Sequence, residues 1–167
     1  MPVIESPAQL VATEAANDYI LSPVRRRSRE PKASPTRMLS ISPIAEDYDV
    51  LSSILEDPSR LLFRASTCRD ATARLGRTRI SLILCEYSLP DGTWKDMLDH
   101  VTGAGVEAPI IVTSRLADER LWAEVINLGG YDVLAKPFSE REVLHAITSA
   151  LMHSRNPVGR ARAASGA

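Results

Sequence analysis

The sequence predicts an α/β fold in which helices cover both faces of a parallel β-sheet. Short apolar runs alternate with segments of helical periodicity, and this unit recurs five times between residues 37 and 153. Such alternation is typical of βαβ units with right-handed crossovers. The runs are apolar at nearly every position, as expected for strands that are buried on both faces.

Each predicted strand is a short apolar run bounded by turn residues. The five strands cover residues 38–41, 60–65, 80–85, 109–113 and 131–135. The central run at 80–85 is too short for a helix with its own caps, so a buried strand is favoured there.

Each predicted helix has apolar residues at helical spacing and a start or stop signal. The helices cover residues 47–55, the segment from a cap at Thr67 to Leu75, the segment from a cap at Thr93 through Val101, residues 117–128, and a last helix that carries residues 143–151. Pro58 stops the first helix and Gly129-Gly130 terminates the fourth.

Composition and charge restrict the classes of function. The chain is 44% apolar and its net charge is −1, which favours neither nucleic acid nor an acidic substrate as partner. It has no apolar run of about 20 residues and no secretory signal, so a cytoplasmic location without membrane association is expected. Neither the two cysteines nor the three histidines are spaced as metal ligands, so no metal or other cofactor is expected.

The two ends of the chain differ from the repeating region. Residues 1–36 hold five of the 11 prolines and a basic run at 25–29, which predicts a disordered lead or linker. Residues 154–167 are small and basic, which predicts a disordered tail. A single folded domain is therefore predicted over residues 37–153.

The third predicted strand leads directly to a carboxylate, Glu86. Pro90, Asp91 and Gly92 follow in a loop, where proline presets φ, aspartate caps locally and glycine tolerates a positive φ. The carboxyl ends of strands in an open α/β sheet meet at the edge where ligands bind. Glu86 is therefore a candidate site residue.

Other strand ends bring polar groups to the same edge. The first strand ends at Ser42 and Pro43, the fourth at Thr113 and Ser114, and the fifth at Lys136. A carboxylate, a hydroxyl and a lysine are thus expected in one crevice.

Three motifs at these strand ends carry a family resemblance: LILCEYSLPDG, APIIVTS and GGYDVLAKPF. With them, residues 37–153 resemble a response-regulator receiver domain, the flavodoxin-like (βα)5 module of two-component signalling. The resemblance implies a doubly wound sheet with strand order 2-1-3-4-5. It also implies a stand-alone signalling protein in a phosphorelay that is not an enzyme.

In that family an aspartate accepts a phosphoryl group from a histidine kinase, and an acidic pair after the first strand helps to hold Mg²⁺. The resemblance places Glu86 at the acceptor position. It places Ser114 and Lys136 at the phosphoryl-binding positions. A hydroxyl and a lysine bind the phosphoryl oxygens there.

This sequence departs from the family pattern at three positions. Glu86 replaces the acceptor aspartate, Ser42 and Pro43 replace the acidic pair, and Val133 replaces the switch aromatic. Mg²⁺ prefers carboxylate ligands, so the metal site loses most of its charge. Glu46 and Asp47 come shortly afterwards, but their position is that of acids in the first turn of a helix, which the helix dipole favours.

We therefore interpret the domain as a divergent pseudo-receiver, in which Lys136 and Ser114 pair with Glu86. It would act as a phosphorylation-independent protein-interaction module. One alternative is a conventional receiver that a histidine kinase phosphorylates at an atypical site, and another is an ion pair without a signalling role. A flavin carrier or small enzyme on the same fold is the third, although the loop after the first strand lacks phosphate-binding glycines.

The expected partner is a protein, either a histidine kinase or another signalling protein. Receivers commonly dimerise through the fourth helix, fifth strand and fifth helix. Trp122 is one position off the apolar stripe of the fourth helix, which is compatible either with core or half-buried packing or with the edge of that surface. No nucleic-acid partner is expected, because no DNA-binding domain follows the receiver-like region.

Overall fold

Five parallel strands form the central sheet of the computed structural model, which describes residues 34–155. In chain order the elements are β1 (Thr36–Ile41), α1 (Ala45–Ile54), β2 (Arg60–Ala65), α2 (Cys68–Leu75), β3 (Leu82–Glu86), β4 (Ser88–Leu89), β5 (Gly92–Thr93), α3 (Trp94–Gly103), β6 (Ile110–Ser114), α4 (Glu119–Leu128), β7 (Asp132–Ala135) and α5 (Glu140–Arg155). Most of the predicted lead and tail lie outside the described residues.

The strand order of the sheet is β2-β1-β3-β6-β7, and every neighbouring pair is parallel. The predicted order 2-1-3-4-5 is therefore confirmed for the five strands of this sheet. The short antiparallel hairpin β4–β5 was not predicted. It consists of two residues on each side of a turn, too short to show alternation in the sequence.

Two apolar clusters cover the two faces of the sheet. One contains Trp94 and Met97 of α3 together with apolar residues of α2 and α4, and the other contains Leu51 of α1 and Ile147 of α5. Neighbouring strand residues belong to opposite clusters, because successive side chains of a strand point to opposite faces. Continuous apolar runs predicted this double coverage.

Several element boundaries differ from the predictions. β1 begins at Thr36, inside the predicted lead, and α5 continues through Arg155, two residues into the predicted tail. α4 begins at Glu119 rather than at 117, because the carboxylate of Asp118 accepts a hydrogen bond from the N–H of Leu121 at 2.8 Å and caps the helix.

The loop after β3 also works differently from the prediction. Asp91 does not cap its own turn: its carboxylate accepts hydrogen bonds from the N–H groups of Cys68 at 2.7 Å and Arg69 at 3.0 Å, at the start of α2. Gly92 has no positive φ. A Cβ there would lie 3.0 Å from both Asp96 Oδ2 and Cys68 Sγ, so a larger residue would require these two side chains to shift.

The described residues 34–155 contain no helix with both the length and the apolar character that crossing a membrane requires.

We expect Asp91→Asn to lower the urea midpoint of unfolding at pH 7, because a neutral amide is a weaker acceptor for the first N–H groups of α2. Those two backbone hydrogen bonds lower the pKa of Asp91. Its stabilising effect is therefore complete above the unfolded pKa of about 3.9 and is lost as the pH falls through the lower folded pKa.

The control for this prediction is Asp99→Asn, which removes the same charge from an exposed position on α3. The difference in urea midpoint between the wild type and Asp91→Asn should become smaller when unfolding is measured at about pH 3. If Asp91→Asn and Asp99→Asn lowered the urea midpoint equally at pH 7, the capping role of Asp91 would be contradicted.

Candidate functional site

The candidate site lies at the carboxyl edge of the sheet. β3 ends there with Glu86, and Lys136 directly follows β7. The N–H of Lys136 donates to the carbonyl oxygen of Ser114 at 2.9 Å, which continues the β6–β7 pairing past the end of β7. Asp47 enters the site from the first turn of α1. Rigid backbone therefore positions each charged side chain.

The ammonium group of Lys136 forms ion pairs with two carboxylates, Oε2 of Glu86 and Oδ2 of Asp47. All three side chains are largely buried, with exposed fractions of 5% for Lys136, 14% for Glu86 and 11% for Asp47. Charges removed from water in this way need close partners, because desolvation costs several kcal/mol per ion. The two carboxylates provide those partners for the lysine.

Two hydroxyl groups complete the charged cluster. Oγ1 of Thr113 donates to Oε2 of Glu86 at 3.1 Å, and Oγ of Ser42 donates to Oδ2 of Asp47 at 2.5 Å. Each carboxylate thus binds the lysine and one hydroxyl. We call Ser42, Asp47, Glu86, Thr113 and Lys136 the lysine cluster. Its formal charge is −1.

The predicted pairing of Glu86 with Lys136 is present, but the predicted contribution of Ser114 to that pair is wrong. Ser114 Oγ instead accepts a hydrogen bond from the N–H of Leu116 at 3.1 Å. Thr113 is the residue in register with Glu86 on the neighbouring strand. Side chains in register share a face of the sheet, so the threonine hydroxyl reaches the carboxylate.

Asp47 is the site residue that the sequence analysis did not identify. It does lie in the acidic first turn of a helix, as predicted, yet it is also buried and ion-paired. One pattern could have indicated this position: Asp47 is four residues before the buried Leu51, so both lie on the inward face of α1.

The remaining predicted positions lie apart from the ion pairs. Pro43 is exposed beside Ser42. Val133 packs against the apolar cluster on the α2–α4 face. The ring of Phe138 lies closer to the site, with its centroid 5.8 Å from Lys136 Nζ, a cation–π distance that adds to the attraction for the lysine.

The donor set of the lysine cluster does not fit a Mg²⁺ ion. Within residues 34–155, no group of three or more aspartate, glutamate, histidine or cysteine side chains is placed to hold a metal. Asp47 and Glu86 are both bound to Lys136, whose positive charge opposes a cation at the same oxygens.

Neither cysteine near the site is a ready nucleophile. Burial, with smaller contributions from Cys68 and Glu86, raises the pKa of the Cys85 thiol. Burial and the nearby Asp91 raise the pKa of Cys68 to about 11. Both thiols are therefore protonated at neutral pH, and a thiol in that form is a poor nucleophile.

Comparison with known proteins identifies the family and the fold of this chain. The family model described as the response regulator receiver domain matches residues 46–148, well over half of the chain. The chain belongs to this receiver family. It is thus a response regulator receiver domain of two-component signalling.

Two curated relatives show how far the similarity extends. The "Probable transcriptional regulatory protein y4xI" of Sinorhizobium fredii (strain NBRC 101917 / NGR234) is 31% identical over 88 residues, which cover 53% of this chain and 39% of that protein. The "Regulator of RpoS" of Escherichia coli (strain K12) is 26% identical over 114 residues, or 66% of this chain and 34% of that protein. The chain spans little more than a third of the length of these relatives.

Solved structures agree with the receiver fold. A response regulator receiver domain protein (CheY-like) from Methanospirillum hungatei JF-1 superposes with a TM-score of 0.66 at 21% identity, covering 73% of this chain and 98% of that chain. The chemotaxis response regulator CheY4 of Vibrio cholerae gives 0.65 at 19% identity, covering 71% and 100%. At these identities the likeness establishes the fold.

We expect Lys136→Met to destabilise the domain by about 3–5 kcal/mol, because it leaves two buried carboxylates facing each other without a cation. Urea unfolding followed by circular dichroism measures this loss. The triple variant Asp47→Asn, Glu86→Gln, Lys136→Met removes all three charges and should recover most of the stability. A loss below about 1 kcal/mol in Lys136→Met would show that the cluster behaves as an exposed ion pair.

Proposed function

We propose that this receiver domain works without phosphorylation, as a protein-interaction module whose lysine cluster holds one conformation. The observation that carries the proposal is the pairing of Lys136 with both Glu86 and Asp47. The lysine that would bind a phosphoryl group already has two carboxylate partners. In this proposal the chain carries out no chemistry of its own.

Charge and geometry both oppose a phosphoryl group at this site. A phosphoryl dianion near Glu86 would meet the negative charge of Asp47, and like charges repel strongly where water is excluded. Glu86 also extends one methylene further than the aspartate found at this position in the family. In-line phosphoryl transfer depends on positioning, and a misplacement of about 1 Å can lower the rate roughly a hundredfold.

Ser42, at one position of the family's acidic pair, supports the ion pairing that holds one conformation. Ser42 stands at one of its positions and donates its hydroxyl to Asp47, the carboxylate that α1 brings into the site. Ser42 Oγ also accepts from the N–H of Ile44 at 3.1 Å, which fixes the loop before α1. The serine thus positions the extra carboxylate against Lys136.

We expect no phospho-adduct when the chain is incubated with acetyl phosphate and Mg²⁺, and none in Glu86→Asp, because the aspartate alone restores neither an acidic pair nor a free lysine. Intact-mass spectrometry detects an adduct as the added mass of a phosphoryl group. A phosphorylatable receiver treated in parallel verifies the reagent.

An adduct on the wild type would support the conventional receiver instead. An adduct on Glu86→Asp alone would refute the argument from the missing acidic pair. Both results are read from the same spectra, so the two candidate functions are separated by one experiment.

We place the partner contact on α4, β7 and α5. α4 exposes Trp122, Ile126 and Leu128, with 49%, 37% and 52% of each residue accessible. The indole N–H of Trp122 donates to Oδ1 of Asp132 at 3.1 Å, which holds the ring against β7. Exposed, oriented aromatic residues are the usual anchors of protein interfaces. A histidine kinase, another signalling protein or a second copy of this chain are the partner classes.

If the partner is a second copy, we expect the wild type to form a concentration-dependent dimer in sedimentation velocity. Trp122→Ala should raise the dissociation constant of that dimer about tenfold or more, since aromatic anchors dominate such interfaces. Met152→Ala, at an exposed position of α5, is the matched apolar control. If the wild type stayed monomeric at every concentration, a second copy would be excluded as the partner, and the surface on α4, β7 and α5 would be assigned to a different protein.

A further inference from the structure

The segment from residue 60 to 79 is strongly basic although the whole chain is nearly neutral. It holds six arginines, one aspartate and no lysine, which gives it a charge of +5 in a chain whose net charge is −1. The rest of the chain therefore carries −6. The six arginines are Arg60, Arg64, Arg69, Arg74, Arg77 and Arg79.

The fold brings four of these arginines, Arg64, Arg74, Arg77 and Arg79, to two neighbouring clefts, whereas Arg60 lines a separate cleft with Asp49, Glu56 and Asp57. All six lie on β2, on α2 and in the turn after α2, and β2 is an edge strand whose sole sheet neighbour is β1. Within residues 34–155, none of the six forms an ion pair with a carboxylate. We call the surface around the two neighbouring clefts the arginine edge.

Two neighbouring clefts give the arginine edge its shape. Arg64, Arg74 and Arg77 line the first, of about 510 Å³, in which Asp70 is the one acidic lining residue. Arg77 also lines the second cleft, so the two adjoin at its side chain.

The second cleft, of about 740 Å³, lies at the amino-terminal edge of the sheet, away from the lysine cluster. Arg77, Arg79 and Arg155 line it together with Glu107, and Thr78 is shared with the first cleft. Five arginines thus surround a continuous concave surface in which two carboxylates are present.

The chemistry of this surface suits phosphate groups. The guanidinium of arginine binds phosphate oxygens through two parallel N–H groups and is more weakly hydrated than an ammonium. Arg74 is held in place by its position 5.1 Å from the centroid of the Phe63 ring. The hydroxyls of Ser66 and Thr78 in the lining add neutral donors.

The surface lacks the features of a protein interface. Such interfaces are centred on exposed aromatic or large apolar anchors. Within residues 60–79, all of which the structure describes, Leu61 is the one large apolar side chain that is exposed, and Phe63 is partly buried under Arg74. Attraction of a partner to this surface is therefore electrostatic.

We propose that the arginine edge binds the phosphate backbone of double-stranded nucleic acid without sequence preference. Contacts to phosphate position a protein on a duplex but carry no sequence information. This surface would tether the receiver to nucleic acid whatever the state of the lysine cluster. The net charge of the chain does not reveal this surface, because the positive charge of the arginine edge and the negative charge of the rest of the chain nearly cancel.

Fluorescence anisotropy of the full chain with a labelled duplex of about 20 base pairs tests the proposal at salt concentrations from about 50 to 200 mM. The logarithm of affinity should fall linearly with the logarithm of salt concentration. The double variant Arg77→Gln, Arg79→Gln should bind about tenfold or more weakly at the lowest salt concentration. The slope of log affinity against log salt should become shallower by roughly 2, since each lost phosphate contact reduces its magnitude by about 0.9.

The matched control is Arg120→Gln, Arg141→Gln, which removes the same charge from exposed positions on α4 and α5. Its affinity should stay within about twofold of wild type. Circular dichroism melts confirm that both double variants are folded, as expected for exposed substitutions.

Several outcomes would overturn the proposal. One is no binding of the duplex at the lowest salt concentration, and another is an equal loss of affinity in both double variants. The third is an unchanged affinity in the double variant Arg77→Gln, Arg79→Gln, which would assign the contact to other basic segments of the chain. Equal affinity for polyglutamate at matched charge would show that the arginine edge takes an acidic polypeptide instead.

Discussion

The ammonium group of Lys136 is the constraint that organises the carboxyl edge of this receiver. A buried lysine must be paired, and the two carboxylates that pair with it come from different elements, Glu86 from β3 and Asp47 from α1. The cluster thus joins α1, β3 and the segment after β7 across the sheet. The stability of that edge depends on all three charges together, because any one of them alone would be uncompensated.

Apolar packing, rather than the lysine cluster, forms the two faces of this receiver's sheet. The sheet and its two apolar faces depend on alternating strand residues and on helix packing, to which Ser42, Pro43 and Glu86 do not contribute. Changes at Ser42, Pro43 and Glu86 can therefore alter function while the fold remains.

Two charged regions of opposite character lie at different places in the fold. The lysine cluster is buried, internally paired and slightly negative, whereas the arginine edge is exposed, unpaired by carboxylates within residues 34–155 and strongly positive. Burial makes the first a structural lock, and exposure makes the second a surface for a soluble polyanion. A net charge of −1 describes neither region, because it averages over both.

The sequence by itself determined the faces of the sheet and the meeting of Glu86 with Lys136, since periodicity is local and parallel strands share their carboxyl edge. The strand order came from the resemblance to the receiver family. Only the tertiary structure decided the rest. The inward rotation of α1 selects Asp47, the register of β6 against β3 selects Thr113 over Ser114, and Asp91 caps a helix that begins 23 residues earlier. Each of these depends on contacts between segments distant in the chain, which local patterns do not encode.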